Sequence, residues 1–503
     1  MSRLITLAGG AALLAALVSA ASAGAAPATL CVGPQAGCYS QIQPALDAAS
    51  DGDTITIAAG TFTGGITISK SVHLDGAGAN RTTIDGGGPV VTIFRADAPE
   101  DLSVTIDGVT ITGGVNDSQP DGAVTFGGGI AIPTSQLSEP PFNGTGATVA
   151  ISNSVITGNT VTSNDVIPPG FCGGEPCGFN DGGGIDNGGV LTLTNTRVTN
   201  NTAGSTATVS SAASSAGSGG IDNRFASTLI LRSSVVSGNR AVVDSPIANS
   251  ASSGGIGSVG ALDIADSDVS DNVVDYRGVL SSGDESGLAG GIEIDACCDV
   301  PHPTVSIRGT RISGNHVSAT NTNADSGIAG YGGGIVAFAP ALLDHVSLTD
   351  NTVKVSGAGF VGGDGGAMEV DAPVTLRDST VSRNSVDVSG PGAAVAFGGG
   401  VAMFGGDLTL ERTTVTANSA SATGAGGPLP FGGVSTVYGG GISNGGPGVP
   451  PAALTLTSSV VTANRLTGSP GFVLAGGGVF TDSGLTSSGG VIAGNKPDDC
   501  SGC

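Results

Sequence analysis

An eleven-residue segment recurs ten times along this chain, its copies align without gaps, and every copy ends in asparagine. The copies start at Val149, Leu191, Leu229, Leu262, Val305, Ala341, Val374, Leu408, Leu454 and Leu485. They close on Asn159, Asn201, Asn239, Asn272, Asn315, Asn351, Asn384, Asn418, Asn464 and Asn495. Such a repeat constrains the fold more than length does, because each unit buries its apolar face against its neighbours. The 503 residues therefore need not divide into several globular domains.

The columns of the repeat have physical meaning. Positions one and three are nearly always aliphatic, as in Leu408 and Leu410, which is the period of a strand with one buried face. Position eight is aliphatic throughout, from Ile156 to Ile492. An odd step of five cannot join two inward positions on one straight strand, so the chain turns a corner between them. Position six, usually Ser or Thr as in Ser154, Thr196 and Ser234, falls at that corner. Before each copy stands a glycine signature, Gly-Gly-Gly-Ile at 127–130, 182–185, 332–335 and 439–442, with looser forms elsewhere. It adds a third strand, whose glycines permit tight or left-handed backbone. Three strands per unit of roughly 35 residues make one turn of a parallel β-helix. The variable stretch between each Asn and the next signature reads as a projecting loop. Two tight coils per repeat is the rival reading, because 393–397 alternates like a strand. Insertions at 297–303 and 445–453 fall at another corner.

The expected architecture is all-β, a single right-handed parallel β-helix of about 12 to 14 coils with an N-terminal cap. Residues 42–49 form a short amphipathic helix that covers the first open edge. The expected divisions are 1–23, a signal peptide; 24–120, cap and irregular early coils; 121–496, the repeat helix; and 497–503, a C-terminal cap. Arg3, the apolar run 4–18 and Ala21-Ser22-Ala23 have the order of a secretory signal, and an uncleaved anchor is the alternative. No later apolar run is long enough to span a bilayer as a helix. The product is expected to be secreted or surface-associated, and its Ala- and Gly-rich composition points to a bacterium.

Composition narrows the partners. The net charge of −24 leaves no basic footprint for nucleic acid or anionic membrane. Aromatics are 4% and Trp is absent, so the core must be built from Val, Ile, Leu and Ala. Eight cysteines fall in local pairs, Cys31/Cys38, Cys172/Cys177, Cys297/Cys298 and Cys500/Cys503, and read as short disulfides of an oxidising compartment. Zinc is the rival, but only His302 lies near a pair.

The asparagine column reads as structural: Asn tolerates the left-handed conformation, and its amide can bond to coils above and below. Outward positions offer the candidate chemistry. Asp344, His345 and Asp350, then Arg377, Asp378 and Arg383, then Glu411 and Arg412 occupy equivalent positions in three successive copies. Arg308, Asp344, Arg377 and Glu411 alternate in sign along one column. A solvated ion-pair ladder is one reading; the sharper one makes Asp344, His345, Arg377, Asp378, Arg383 and Glu411 a polysaccharide site. No cofactor is required. Calcium is the one metal considered, at Asp263, Asp266, Asp268 and Asp271, although their spacing matches no calcium loop.

Two resemblances follow from these motifs. Residues 42–88, with GDTITIAAGTFTGGITISKSVHLDGAG and TTIDGGG, resemble the opening coils of pectin-lyase-like β-helices. Residues 127–495 resemble the repeats of polymorphic outer-membrane proteins, whose GGA-I and F-x-x-N elements appear here as GGGI or GGI and as Val198-Thr199-Asn200-Asn201. The second resemblance implies a surface passenger, but no amphipathic barrel strands are read towards Cys503, so another route of export or attachment is expected. The catalytic sets of β-helical polygalacturonases and pectin esterases are missing, and fold alone does not imply function. The expectation is a secreted or surface scaffold that binds glycan, envelope or a surface protein without catalysis. A polysaccharide lyase or glycoside hydrolase is the alternative.

Overall fold

The computed structural model describes residues 26–117, 127–133, 146–162, 182–205, 214–245, 248–278, 286–296, 304–324, 327–430, 432–450 and 452–503. Among them, every paired strand belongs to one of five parallel sheets, of 14, 13, 13, 10 and 8 strands. We label these A (14, starting at Thr29–Val32), B (13, starting at Gly60–Thr63), C (13, starting at Ile66–Ile68), D (10, starting at Val115–Asp117) and E (8, starting at Ser214–Ala216). The chain is a right-handed parallel β-helix.

One circuit shows the path. Ala341–Asp344 lies in sheet A, Ser347–Thr349 in B, Thr352–Gly357 in D, Val361–Asp364 in E and Met368–Val370 in C. The expected three strands per turn are therefore five once the circuit is complete. The stretch expected to project as a loop largely forms sheets D and E, and 394–397 is a strand of E. The rival of two tight coils is also not what forms, because one circuit encloses two cores. Sheets A, B and C enclose the larger, built on residues such as Leu343, Leu348 and Met368. Sheets D and E enclose the smaller, from residues such as Val353, Val355, Ala420 and Ala422. The second core was hidden in the sequence because its inward residues are small and the strands facing each other are short.

The two lobes meet at a waist made by the sequence signatures. Each column asparagine is buried there. Asn351 Nδ2 donates to Asn384 Oδ1 and to the Ile312 carbonyl, both at 3.0 Å. Its Oδ1 accepts from the backbone N–H and Nδ2 of Asn315, at 3.1 and 2.9 Å. The same pattern runs from Asn159 to Asn464. The left-handed conformation expected of these asparagines belongs instead to the residue before them, for example Asn200 (φ 56°), Asp350 (φ 59°) and Ala417 (φ 56°). That turn aims the following amide into the stack. Glycine faces the ladder from the other side: a Cβ on Gly184 would lie 2.8 Å from Asn201 Nδ2, and one on Gly333 2.7 Å from Thr352 N. The first glycine of the signature does take positive φ, as at Gly332 (53°) and Gly439 (63°).

The ends follow the sequence reading. The helix Ile42–Ala48 buries Ile42, Ala45 and Leu46. Disulfides join Cys31 to Cys38 and Cys500 to Cys503. Cys172, Cys177, Cys297, Cys298 and His302 lie outside the described residues, as does the signal-like segment. The insertion 445–453 lies between sheets C and A, at a corner as expected. No helix among the described residues is long and apolar enough to cross a membrane.

Candidate functional site

The charged residues singled out in the sequence gather on the outside of sheets A and B and on their corners. Arg308, Asp344, Arg377 and Glu411 are register neighbours in sheet A. His345, Asp378 and Arg412 occupy successive left-handed corners, with φ of 55°, 49° and 49°. The groups pair mainly with one another. Arg377 donates to Glu411 at 2.8 Å, Arg383 grips Asp350 with two bonds of 2.8 Å, and Arg412 grips Asp378 at 2.6 and 2.7 Å. The Arg412 guanidinium holds the Asp378 carboxyl below its usual range. Asp344, His345 and Asp378 bring donor atoms within 4.8 Å of one another, the one such group of three among the described residues. The strip is exposed, so its pairs are screened and contribute little. Arg412→Ala is accordingly expected to leave the melting temperature unchanged, which thermal denaturation checks.

The four aspartates considered for calcium do not converge. Asp263 lies outside sheet A between Arg232 and Arg308, and Asp268 lies outside sheet B against Arg311. Asp266 and Asp271 occupy the two corners that follow these strands, with φ of 52° and 56°.

The structure assembles a second group that sequence reasoning missed. Sheet C presents its central residues outwards, towards the cleft it makes with sheet E. Four of these are acidic and buried: Asp186, Asp222, Glu293 and Glu369. Two residues on, the same face carries Asp295 after Glu293 and Asp371 after Glu369. Backbone bonds stack this second row: Phe338 N–H donates to the Ile294 carbonyl, Asp371 N–H to that of Ala337, and Phe404 N–H to that of Val370. Asp295, Phe338, Asp371 and Phe404 therefore follow one another at about 4.8 Å per coil, acid alternating with aromatic. All four are partly exposed. Asp364, at the end of its strand in sheet E, adds a further carboxyl to this stretch.

Burial dominates the electrostatics. It pushes Glu293 up to about 7, with Asp295 adding repulsion and the Ser253 hydroxyl, which donates to Glu293 at 2.8 Å, pulling the other way. Asp371 is also held up at about 7 by burial. Asp364 and Glu369 lie well above the carboxylate range, through burial and then the charge of Asp371. Asp295 is raised by burial and drawn back by the Ala296 N–H, 2.6 Å from its Oδ1. One oxygen on each of Asp364, Glu369 and Asp371 has no hydrogen-bond partner. Asp186 differs, because Arg224 offsets part of its burial.

These shifts have a consequence for stability. The folded chain keeps protons that the unfolded chain has released, so stability is full below the unfolded pKa values, about 4. It falls as pH rises through the folded values, which reach about 7 for Glu293 and Asp371. Urea melts across this range are expected to show that loss, and Asp364→Asn with Glu369→Gln to flatten it.

Beyond the acids the cleft turns aromatic. Asp364 is followed in register by Phe397 and then Tyr438. Phe397 and Tyr438 have ring centres 5.7 Å apart, and Tyr438 stacks on Phe480 at 4.0 Å and 15°. A low aromatic content has thus been concentrated in one place. The sequence signal was modest: an acid directly after the glycine signature in four coils, twice as Glu-x-Asp.

Fold and cleft together define a two-lobed parallel β-helix with a carboxyl- and aromatic-lined outer face. No family model and no curated protein matches the sequence. Among solved structures, the chain is similar to the A-module of the Azotobacter vinelandii mannuronan C-5 epimerase AlgE6, at 13% identity over 89% of this chain and 94% of that one, with a TM-score of 0.33. It is similar to a PL6 alginate lyase in complex with a trisaccharide, at 12% identity over 90% and 84%, with a TM-score of 0.30. It is also similar to the catalytic domain of a GH87 α-1,3-glucanase in complex with tetrasaccharides, at 12% identity over 92% and 68%, with a TM-score of 0.26.

Proposed function

We propose that this chain is an exported glycoside hydrolase acting on an uncharged polysaccharide at the outer face of sheet C. The observation that carries the reading is the alternation of Asp295, Phe338, Asp371 and Phe404, backed by neighbouring acids whose pKa burial raises. Perturbed carboxyls in a cleft mark candidate sites of acid–base chemistry. Aromatic rings between them offer faces to sugar rings. The disulfides at both ends support export.

Asp371, held near 7, is protonated in weakly acidic solution and supplies the proton. Asp295, drawn back by the Ala296 N–H, is the readier carboxylate and takes the role of base. Two coils separate them, about 10 Å of backbone. That spacing is close to the roughly 6.5–9.5 Å between carboxyls that leaves room for a water in inverting hydrolysis. Asp371 protonates the glycosidic oxygen as the C–O bond breaks. Asp295 takes a proton from water, whose oxygen bonds to the anomeric carbon.

A lyase reading is less well supported, because elimination next to a uronate calls for a cationic group. Among the described residues of the cleft the basic group is Arg224, engaged by Asp186 and Asp222. An acidic cleft on a chain of net charge −24 also disfavours a polyanionic substrate. The test is incubation of the purified chain with neutral glucans, xylans and mannans, reading new reducing ends. Release that is lost in Asp371→Asn supports the proposal. Binding without release would return the chain to the non-catalytic binders, and neither would remove a glycan ligand at this face.

A further inference from the structure

We infer that the aromatic tract Phe397–Tyr438–Phe480, with Thr436, is a set of sugar-stacking subsites continuous with the acid column and covered by Leu429, Gly446 and Val449. This rests on the hydrolase reading and extends it to the part of the polymer beyond the scissile bond.

The tract belongs to neither core. Val395, Phe397, Ala402 and Leu429 form a third apolar cluster, with Phe404, Tyr438 and Val449 packed at its margin. Strands close the two cores, whereas connections close this cluster. The connections are longer than those of the adjoining coils. Sheet C passes to sheet A through 404–407 one coil earlier and 482–484 one coil later, but through 445–453 here. Sheet D passes to sheet E through 390–393 one coil earlier, but through 424–435 here. Both long segments occur in the coil of Tyr438, and both end on the rings. Gly446 lies against Phe397 and Tyr438, where a Cβ would sit 3.3 and 3.5 Å from ring carbons, and Leu429 is buried in the cluster.

A hydroxyl supplies the second, independent observation. Val437 points into the D–E core, so Thr436 and Tyr438 share the opposite face. Thr436 is 1% exposed, and its Oγ1 has no hydrogen-bond partner. An unsatisfied buried hydroxyl is costly where the chain gains nothing from it. A ring face beside an unpaired hydroxyl is the combination that recognises a pyranose, apolar on its face and polar at its edge. Continuity fixes the occupant: Asp364 and Phe397 are register neighbours, and Phe397 and Phe404 lie 6.3 Å apart across the cleft. A polymer held at Asp371 and running along the helix axis reaches these rings next. Phe397 is 4% and Phe480 8% exposed, so access to their faces requires displacement of the covering residues.

The experiment uses the full chain and neutral hexaoses of the cello, xylo, manno and laminari series. The chain has no Trp and 4 Tyr, so its fluorescence comes from tyrosine, and the part of a ligand-induced change that is lost in Tyr438→Phe reports on Tyr438. Binding to the inactive Asp371→Asn protein is expected to perturb the fluorescence. Tyr438→Ala and Thr436→Val are each expected to weaken Kd about ten-fold or more. Replacing 445–453 by the 482–484 turn is expected to speed association. Hydrolysis that depends on Asp371, with KM unchanged in Tyr438→Ala and Thr436→Val, would overturn this inference and leave the hydrolase intact. Absence of both binding and hydrolysis across the series would overturn both. Thr436→Val is close in shape to the native residue, so its readout does not depend on tolerance of a cavity.

Discussion

Asp371→Asn is expected to slow glycosidic hydrolysis by about a thousand-fold while leaving the fold and the affinity for oligosaccharide intact. The size follows from the role. A positioned general acid contributes roughly 10²–10⁴-fold, and an amide of the same shape cannot give up a proton. The pH profile is a sharper readout than the rate alone. Activity should fall as pH rises past about 7, where Asp371 ionises, and should fall on the acid side as Asp295 becomes protonated. Asp371→Asn should abolish the alkaline limb. Asp295→Asn should remove the acid limb with a comparable loss of rate. If both variants keep wild-type rates, the chemistry lies elsewhere on the molecule. The exposed strip at Asp344, His345 and Asp378 would then be the next place to test, since its donor atoms also converge.

The largest expected effect on stability is at the waist. Asn351→Ala removes a side chain that makes four hydrogen bonds inside the stack. Water cannot replace them, because Asn315, Asn351 and Asn384 are fully or almost fully buried. The Ile312 carbonyl and the Asn315 amide each lose a partner. At about 1–3 kcal/mol for each buried group left unsatisfied, the loss is about 3–5 kcal/mol. The terminal rung is a natural control. Asn495 is 7% exposed and sits where the last coil meets solvent, so Asn495→Ala should cost less. Equal losses at the two positions, measured by urea denaturation, would mean that the ladder acts through local turn geometry rather than through buried amide bonds. An interior loss is also expected to be felt by both lobes, since each rung closes two cores at once.

The hydrolase reading departs from the scaffold reading that the sequence favoured, and the reason is specific. The sequence carries none of the catalytic sets of β-helical polygalacturonases or pectin esterases, and its aromatics are few. Glu293-Ile294-Asp295 and Glu369-Val370-Asp371 stand far apart in the chain, and each alone is an ordinary surface pattern on a strand. They become one group because sheet C places their coils two apart, with Phe338 between them. Phe397, Tyr438 and Phe480 were scattered residues in a chain poor in aromatics until two sheets faced each other across a cleft.

What the sequence determined by itself is the side of the chain that faces inwards. Aliphatic residues at positions one, three and eight, and a polar corner at six, fix strands and turns by local geometry alone. The asparagine column and glycine signature were legible for the same reason, as was the helix at 42–48. The second lobe was half-legible: Thr352-Val353-Lys354-Val355 alternates as a strand should, but its small inward residues gave no measure of what they faced. Only the tertiary structure decided that the chain closes one circuit around two cores. It also decided which distant residues meet in the cleft. Side-chain direction is set within a few residues, whereas adjacency across coils depends on the length and path of everything between them.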